Sequence, residues 1–332
     1  MPKMARRLPK GIYTPLPCFF VEGSEDLDLV AFKKHVQYTS KAGTIPVVSG
    51  TAGEAPHLGH AERKQLLITA REALDEVGLI DVPIIAGIGA PSTRESVELA
   101  HEASDAGADF VIAIAPGYYA GTLMAEPASL KNFFVDIANA SPLPVMMYNF
   151  PAVSGGIDLD SDVIISIAKE APNVCGIKLT CANVGKLTRI TAAVNHASFP
   201  EKYPRKVNTA PFLVIDGFID FLLPSMASGS SGAITGLANI APKTCVKLWQ
   251  YCSAEPSDVA YKDAQAIQNI VSNADGVALK IGIPGMKMLL YRIFGYSPYP
   301  RRPLLPMSSE KGDAVMGADV IKQLMEFEES LI

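Results

Sequence analysis

The chain has 332 residues, 48% of them hydrophobic and 19% charged, with a formal net charge of −5. That apolar content can fill a large core, so a disordered chain is excluded, and the mild acidity without a dense Lys/Arg block excludes a nucleic-acid-binding face. No apolar run reaches the roughly 18 residues of a membrane span, and the scattered cysteines Cys18, Cys175, Cys181, Cys245 and Cys252 form no C-x-x-C pair, so neither a zinc site nor a disulfide framework is expected and a reducing, cytoplasmic setting fits.

In chain order, residues 1–10 carry Lys3, Arg6, Arg7 and Lys10 with no apolar segment after them. They read as a solvated tail rather than a secretory signal, with a short organellar presequence as the alternative. A first strand is predicted over 11–17, weakened by Pro15 and Pro17. Further short Val/Ile-rich runs occupy 45–50, 83–89, 109–115, 144–150, 174–180, 211–216 and 232–236. They do not alternate apolar with polar, which is how strands buried on both faces read. Helical composition fills 27–42, 61–77, 93–106, 161–171 and 184–194. Three of these helices end alike, at Gly43, Gly78 and Gly107, each just before a strand. Glycine closes a helix by taking the left-handed conformation. Ser92 with Glu95 can form a capping box at the start of one of them. Beyond residue 255 the strands stop, and three helices are expected over 257–274, 276–294 and 309–331, with a proline-rich connector at 296–306. The Arg301-Arg302 pair in that connector reads as a solvated surface feature.

Strand and helix repeated about eight times imply a parallel α/β sheet. Eight units over roughly 240 residues match a closed (β/α)8 TIM barrel. The expectation is a barrel over 8–255 with 256–332 as a C-terminal helical appendage of the same domain. An open doubly wound sheet is the alternative. Its phosphate-binding turn would be Gly87-Ile88-Gly89-Ala90-Pro91-Ser92, which lacks the third glycine.

Active sites of such barrels lie at the carboxyl ends of the strands. Lys178 ends an otherwise apolar strand, where burial lowers the pKa of an amine and leaves it able to attack a carbonyl carbon. The alternative is a lysine reaching solvent at the strand end. Tyr148 occupies the matching place on the preceding strand, about 4.8 Å away across a parallel sheet. A tyrosine there can shuttle a proton, or simply be core with its hydroxyl satisfied. The turn Gly50-Thr51-Ala52-Gly53-Glu54-Ala55 can expose backbone N–H groups to a carboxylate, and Thr51 adds a hydroxyl. The alternative is a plain strand-to-helix loop. His57 and His60 lack the H-E-x-x-H spacing, so no metal is assigned to them. Neither a P-loop nor a G-x-S-x-G elbow is present.

Three motifs together resemble the dihydrodipicolinate synthase/N-acetylneuraminate lyase family: the 50–55 turn with Glu62, Tyr148-Asn149-Phe150-Pro151 with Ser154, and Gly176-Ile177-Lys178. The resemblance runs from about residue 11 to the C-terminus. It implies a class I pyruvate aldolase with Lys178 as Schiff-base lysine and Tyr148 as acid/base, linked through the Thr51 hydroxyl. It implies that Thr51 and Ala52 hold the 2-oxo acid carboxylate, that Ile234 lines the pocket, and that no cofactor is needed. It further implies a homotetramer in which a tyrosine, Tyr119 or else Tyr118, reaches across an interface.

This chain departs from the family pattern at Ala52, where a second threonine is usual, at Leu179 after the lysine, and at Gly155-Gly156, one residue longer than usual. Dihydrodipicolinate synthases carry an arginine in the Y-N-x-P-x-R loop to bind an aldehyde's carboxylate, and Val153 stands there. Valine offers no charge-assisted hydrogen bond. The expected reaction is therefore cleavage of a 2-keto-3-deoxy acid to pyruvate and an aldehyde. The 116–119 segment is similar to 4-hydroxy-2-oxoglutarate aldolases, and the 178–190 and 299–304 segments are similar to fungal 2-keto-3-deoxy-hexonate aldolases of uronic-acid catabolism. The synthase reaction and a non-catalytic 2-oxo-acid-binding barrel are the rival expectations.

Overall fold

A computed structural model describes residues 6–255 and 257–331. The stretch 1–5 of the N-terminal tail lies outside the described residues. The elements run β1 (Gly11–Pro15), α1 (Leu29–Lys41), β2 (Ile45–Val48), α2 (His60–Glu76), β3 (Ile85–Gly87), α3 (Thr93–Asp105) and β4 (Phe110–Ile114). They continue with α4 (Ala120–Ala125), α5 (Pro127–Ala140), β5 (Val145–Asn149), α6 (Ser161–Glu170), β6 (Val174–Leu179), α7 (Val184–Val194), α8 (Phe199–Lys202), β7 (Leu213–Asp216), α9 (Leu222–Ala227) and β8 (Gly232–Ile234). Four further helices follow: α10 (Pro242–Ser253), α11 (Asp258–Phe294), α12 (Ser309–Met316) and α13 (Asp319–Ser330).

The eight strands form a closed parallel barrel in chain order, and β1 meets β8 with Gly11 opposite Gly232. This is the (β/α)8 barrel with C-terminal helices that the sequence predicts. Each strand divides its side chains between two cores. Tyr13, Phe110, Ile112, Met146, Ile215 and Ile234 fill the inside of the barrel, while Val111, Met147, Ile177 and Val214 face the surrounding helices. Both faces are dry, which is why the strands read as unbroken apolar runs. Gly43, Gly78 and Gly107 do take positive φ at the ends of α1, α2 and α3. At the start of α3 the Ser92 hydroxyl accepts from the Glu95 amide at 3.2 Å.

Beyond the barrel the helices divide differently from the expectation. Residues 258–294 form one long helical stretch, bent at Gly282, whose φ of 60° and ψ of −158° are not helical. Pro284 lacks a donor and blocks the carbonyl of the preceding turn, so the break falls there and not near residue 275. The predicted helix over 309–331 is divided in two, with Gly317 at the end of α12.

Candidate active site

The carboxyl ends of β5 and β6 bring Tyr148 and Lys178 side by side, in register across the sheet. A shift of pairing sets that register: Val145 pairs with Val174, but Met146 pairs with Gly176, leaving Cys175 as an extra residue on β6. Such a bulge reverses the alternation of side chains beyond it. Cys175 and Lys178 therefore both belong to the inner face, although three positions apart. Gly176 sits at φ +154°, and a Cβ there would stand 2.4 Å from the Leu213 carbonyl oxygen. The glycine of the Gly176-Ile177-Lys178 motif is thus the residue that lets the strand bulge and turn Lys178 inward.

Lys178 is 7% exposed, and its Nζ lies 4.2 Å from the centroid of the Tyr148 ring. Among the described residues no carboxylate is within ion-pair distance of it. Tyr148 is 6% exposed and its ring is 5.9 Å from that of Phe150. Neither the Tyr148 hydroxyl nor the Thr51 hydroxyl has a hydrogen-bond partner among the described residues, so the relay through Thr51 is not made in this conformation.

The Thr51 turn follows β2. The Gly53 amide donates to the Gly50 carbonyl at 3.1 Å, Glu54 to Thr51 at 3.0 Å and Ala55 to Gly50 at 3.2 Å. Among the described residues the Thr51 and Ala52 amides donate to nothing. Ser49 and Glu54, at the two ends of the turn, have φ of 55° and 52°, a conformation costly for residues with side chains. Unpaired successive amides in a strained turn form the concave donor set that a carboxylate fits.

Of the other expected residues, Ile234 shares the inner-barrel cluster of Tyr148. Ile234 is 1% exposed inside the barrel, opposite Tyr13. Tyr119 and Tyr118 are 66% and 83% exposed, with ring centroids 4.9 Å apart. His57 and His60 do not converge: His57 Nδ1 is 3.1 Å from Glu54, and His60 Nδ1 is 2.9 Å from Glu102. All five cysteines are free.

Several residues of this region escaped the sequence reading. Asn149 donates to Asp158 at 2.7 Å and accepts from the Leu159 amide at 2.9 Å, and Lys186 also binds Asp158, so β5, α7 and the loop carrying Val153 are tied together. Thr180, two positions beyond Lys178, has a buried hydroxyl without a partner among the described residues. Lys287 forms a fully buried ion pair with Glu54 at 2.5 Å. Its signal was legible: it is the only charge between Ile281 and Leu290. Arg301 is a correction. Its side chain is only 15% exposed and grips Glu62 with two hydrogen bonds of 2.6 and 2.9 Å, whereas Arg302 is 77% exposed. A planar guanidinium meeting a carboxylate in this way is a fixed contact, not a solvated charge.

Residues 9–323 match the dihydrodipicolinate synthetase family. Among curated relatives, the L-threo-3-deoxy-hexylosonate aldolase of Aspergillus niger is 40% identical over 331 residues, covering 97% of this chain and 96% of that protein. The "Probable 4-hydroxy-2-oxoglutarate aldolase, mitochondrial" of Emericella nidulans is 40% identical over 314 residues, covering 94% of each. Among solved structures, a dihydrodipicolinate synthase family protein from Coccidioides immitis superposes with a TM-score of 0.82 at 35% identity, covering 98% of this chain and 99% of that one. With the barrel, the paired strand ends and the matched length all agreeing, the chain belongs to the dihydrodipicolinate synthetase family.

Proposed function

We propose that this protein is a class I aldolase that reversibly cleaves a 2-keto-3-deoxy acid to pyruvate and an aldehyde through a Schiff base on Lys178. The observation that carries it is a buried amine with no counter-ion among the described residues, 4.2 Å from the Tyr148 ring, at the mouth of the barrel. The amine adds to the C2 carbonyl and water leaves, giving an iminium that serves as electron sink. Tyr148 gives its proton to the departing water as the iminium forms and, so deprotonated, takes the proton of the C4 hydroxyl; the C3–C4 bond breaks and the aldehyde departs from an enamine. Protonation at C3 and hydrolysis release pyruvate and restore the lysine. The Thr51 and Ala52 amides hold the substrate carboxylate. The iminium is the electron sink, so the chemistry calls for no metal or organic cofactor.

Two similar proteins are named as a 3-deoxy-hexylosonate aldolase and a probable 4-hydroxy-2-oxoglutarate aldolase, which supports an aldol reaction here. Within that class the rim favours an uncharged polyhydroxy aldehyde over one with a second carboxylate. Val153 offers no charge, and the nearby Lys186 is already neutralised by Asp158. Borohydride reduction in the presence of pyruvate should add mass to a peptide containing Lys178 and abolish activity. Tyr148→Phe should still trap pyruvate but turn over about 10²–10⁴-fold more slowly. A wild-type protein that fails to trap, or traps on another lysine, is not the enzyme described. A panel of 2-keto-3-deoxy acids, assayed for pyruvate with Lys178→Ala as blank, identifies the aldehyde.

We further propose a homotetramer with Tyr119 at an interface, since Tyr118 and Tyr119 form an exposed aromatic pair. A monomeric mass by light scattering would refute it. A cytoplasmic location is our reading, although one relative's name says mitochondrial. Cell fractionation decides between them. None of the described helices is long and apolar enough to cross a membrane.

A further inference from the structure

The turn that offers the Thr51 and Ala52 amides ends at Glu54, a left-handed residue whose side chain is fully buried. Nothing within the turn explains why a glutamate holds that conformation. Its side chain does. One carboxylate oxygen lies 2.5 Å from Lys287 Nζ on α11. The other accepts from the Arg301 backbone amide at 2.9 Å and faces His57 Nδ1 at 3.1 Å. Lys287 is itself 0% exposed, donates to the Tyr299 carbonyl at 3.0 Å and stands 4.3 Å from the centroid of the Phe20 ring. The Arg301 guanidinium lies 4.4 Å from the same ring and binds the His57 carbonyl at 2.7 Å and both oxygens of Glu62. Two cations from the C-terminal region thus share one aromatic ring and grip the segment from Glu54 to Glu62.

We propose that Lys287 is a positioning residue for the proposed reaction: by neutralising Glu54 inside the protein, it holds the turn so that the Thr51 and Ala52 amides point at the substrate carboxylate. Burial alone pushes the Lys287 ammonium toward its neutral form, and Glu54 opposes that shift. The pair therefore stands or falls together: removing either member leaves the other charged without its ion-pair partner in a dry interior. Relaxation of Glu54 toward an ordinary conformation breaks the bonds by which the Glu54 and Ala55 amides close the turn onto the Thr51 and Gly50 carbonyls, and with them the orientation of the Thr51 and Ala52 amides. Lys287 never touches substrate. Its influence runs through the turn to the ground state and the transition state alike, because the carboxylate is bound in both.

The inference rests on the Schiff-base function proposed above, and the test separates the two. Lys287→Met is measured for pyruvate release from the best substrate of the panel, for half-saturation of borohydride trapping by pyruvate, and for trapping by acetone, which has no carboxylate. The expected result is a KM and a pyruvate half-saturation raised about ten- to a hundredfold, kcat changed much less, and acetone trapping unchanged. If Lys287→Met does not fold, the double variant Glu54→Gln/Lys287→Met removes both charges together and should show the same split. A variant with unchanged pyruvate half-saturation, or one that loses acetone and pyruvate trapping in parallel, overturns the positioning role. Wild-type protein that traps neither ketone at Lys178 overturns the function itself, and the positioning role with it.

Discussion

Lys178, Lys186 and Lys287 are 7%, 4% and 0% exposed, yet their surroundings differ. Lys186 faces Asp158 and Lys287 faces Glu54, so each is an ion pair. Lys178 has an aromatic ring and, among the described residues, no acid. A dry, uncompensated amine is expensive and persists mainly where it is used. Buried acids make the matching point on the opposite side of β7. Burial pushes the Asp216 carboxyl up to about 7, with Asp220 adding to the rise and the Ser225 hydroxyl opposing it. Burial likewise pushes Asp275 on α11 up to about 7, again helped by Asp220. Unfolded, these groups titrate at about 3.9. The folded protein then holds more protons between those values, so their contribution to stability is full at acid pH and is lost as pH rises through about 7. Asp216→Asn should melt higher than wild type at about pH 8 and converge with it near about pH 4. A difference that stays constant across that range would contradict this assignment.

At the scale of elements, the bulge in β6 decides which way the lysine faces. Gly176→Ala would place a methyl group 2.4 Å from a backbone oxygen at a positive φ. A loss of more than about 1 kcal/mol is expected, because the native backbone is closed to alanine. Denaturant melts should show it, and pyruvate trapping per folded molecule should fall as the strand loses its phase. Full stability with full trapping would mean that something other than the bulge orients Lys178. The Gly-Ile-Lys motif was legible in the sequence, but its reason was not. A bulge is a relation between two strands, and β6 alone reads as an ordinary apolar run. The bend in α11 shows the reverse case. Gly282 and Pro284 are local punctuation, yet the apolar stretch around them suggested a break elsewhere.

At the scale of the molecule, the C-terminal helices are fastened to the barrel by buried charge. Glu328 on α13 accepts from the Lys243 and Thr244 amides at 3.0 and 2.7 Å and from the Thr244 hydroxyl at 2.7 Å. A carboxylate is thereby placed on the open N-terminal amides of α10. We propose on this basis that residues 256–332 are an appendage of the same folding unit as the barrel over 8–255. Glu328→Ala should cost about 1–3 kcal/mol, since it orphans buried donors, and should lower a single unfolding transition. Two transitions, with only the smaller one moved, would argue for an independent domain. The sequence by itself determined the parallel barrel, the family and the Lys178–Tyr148 pair, because strand runs, helix ends and residues at strand ends are local patterns. Only the tertiary structure decided what supports them. Glu54 and Arg301 are 247 residues apart, and Glu62 and Arg301 are 239 apart. Which distant charge neutralises a buried one depends on how the chain closes in space, and no local periodicity encodes that.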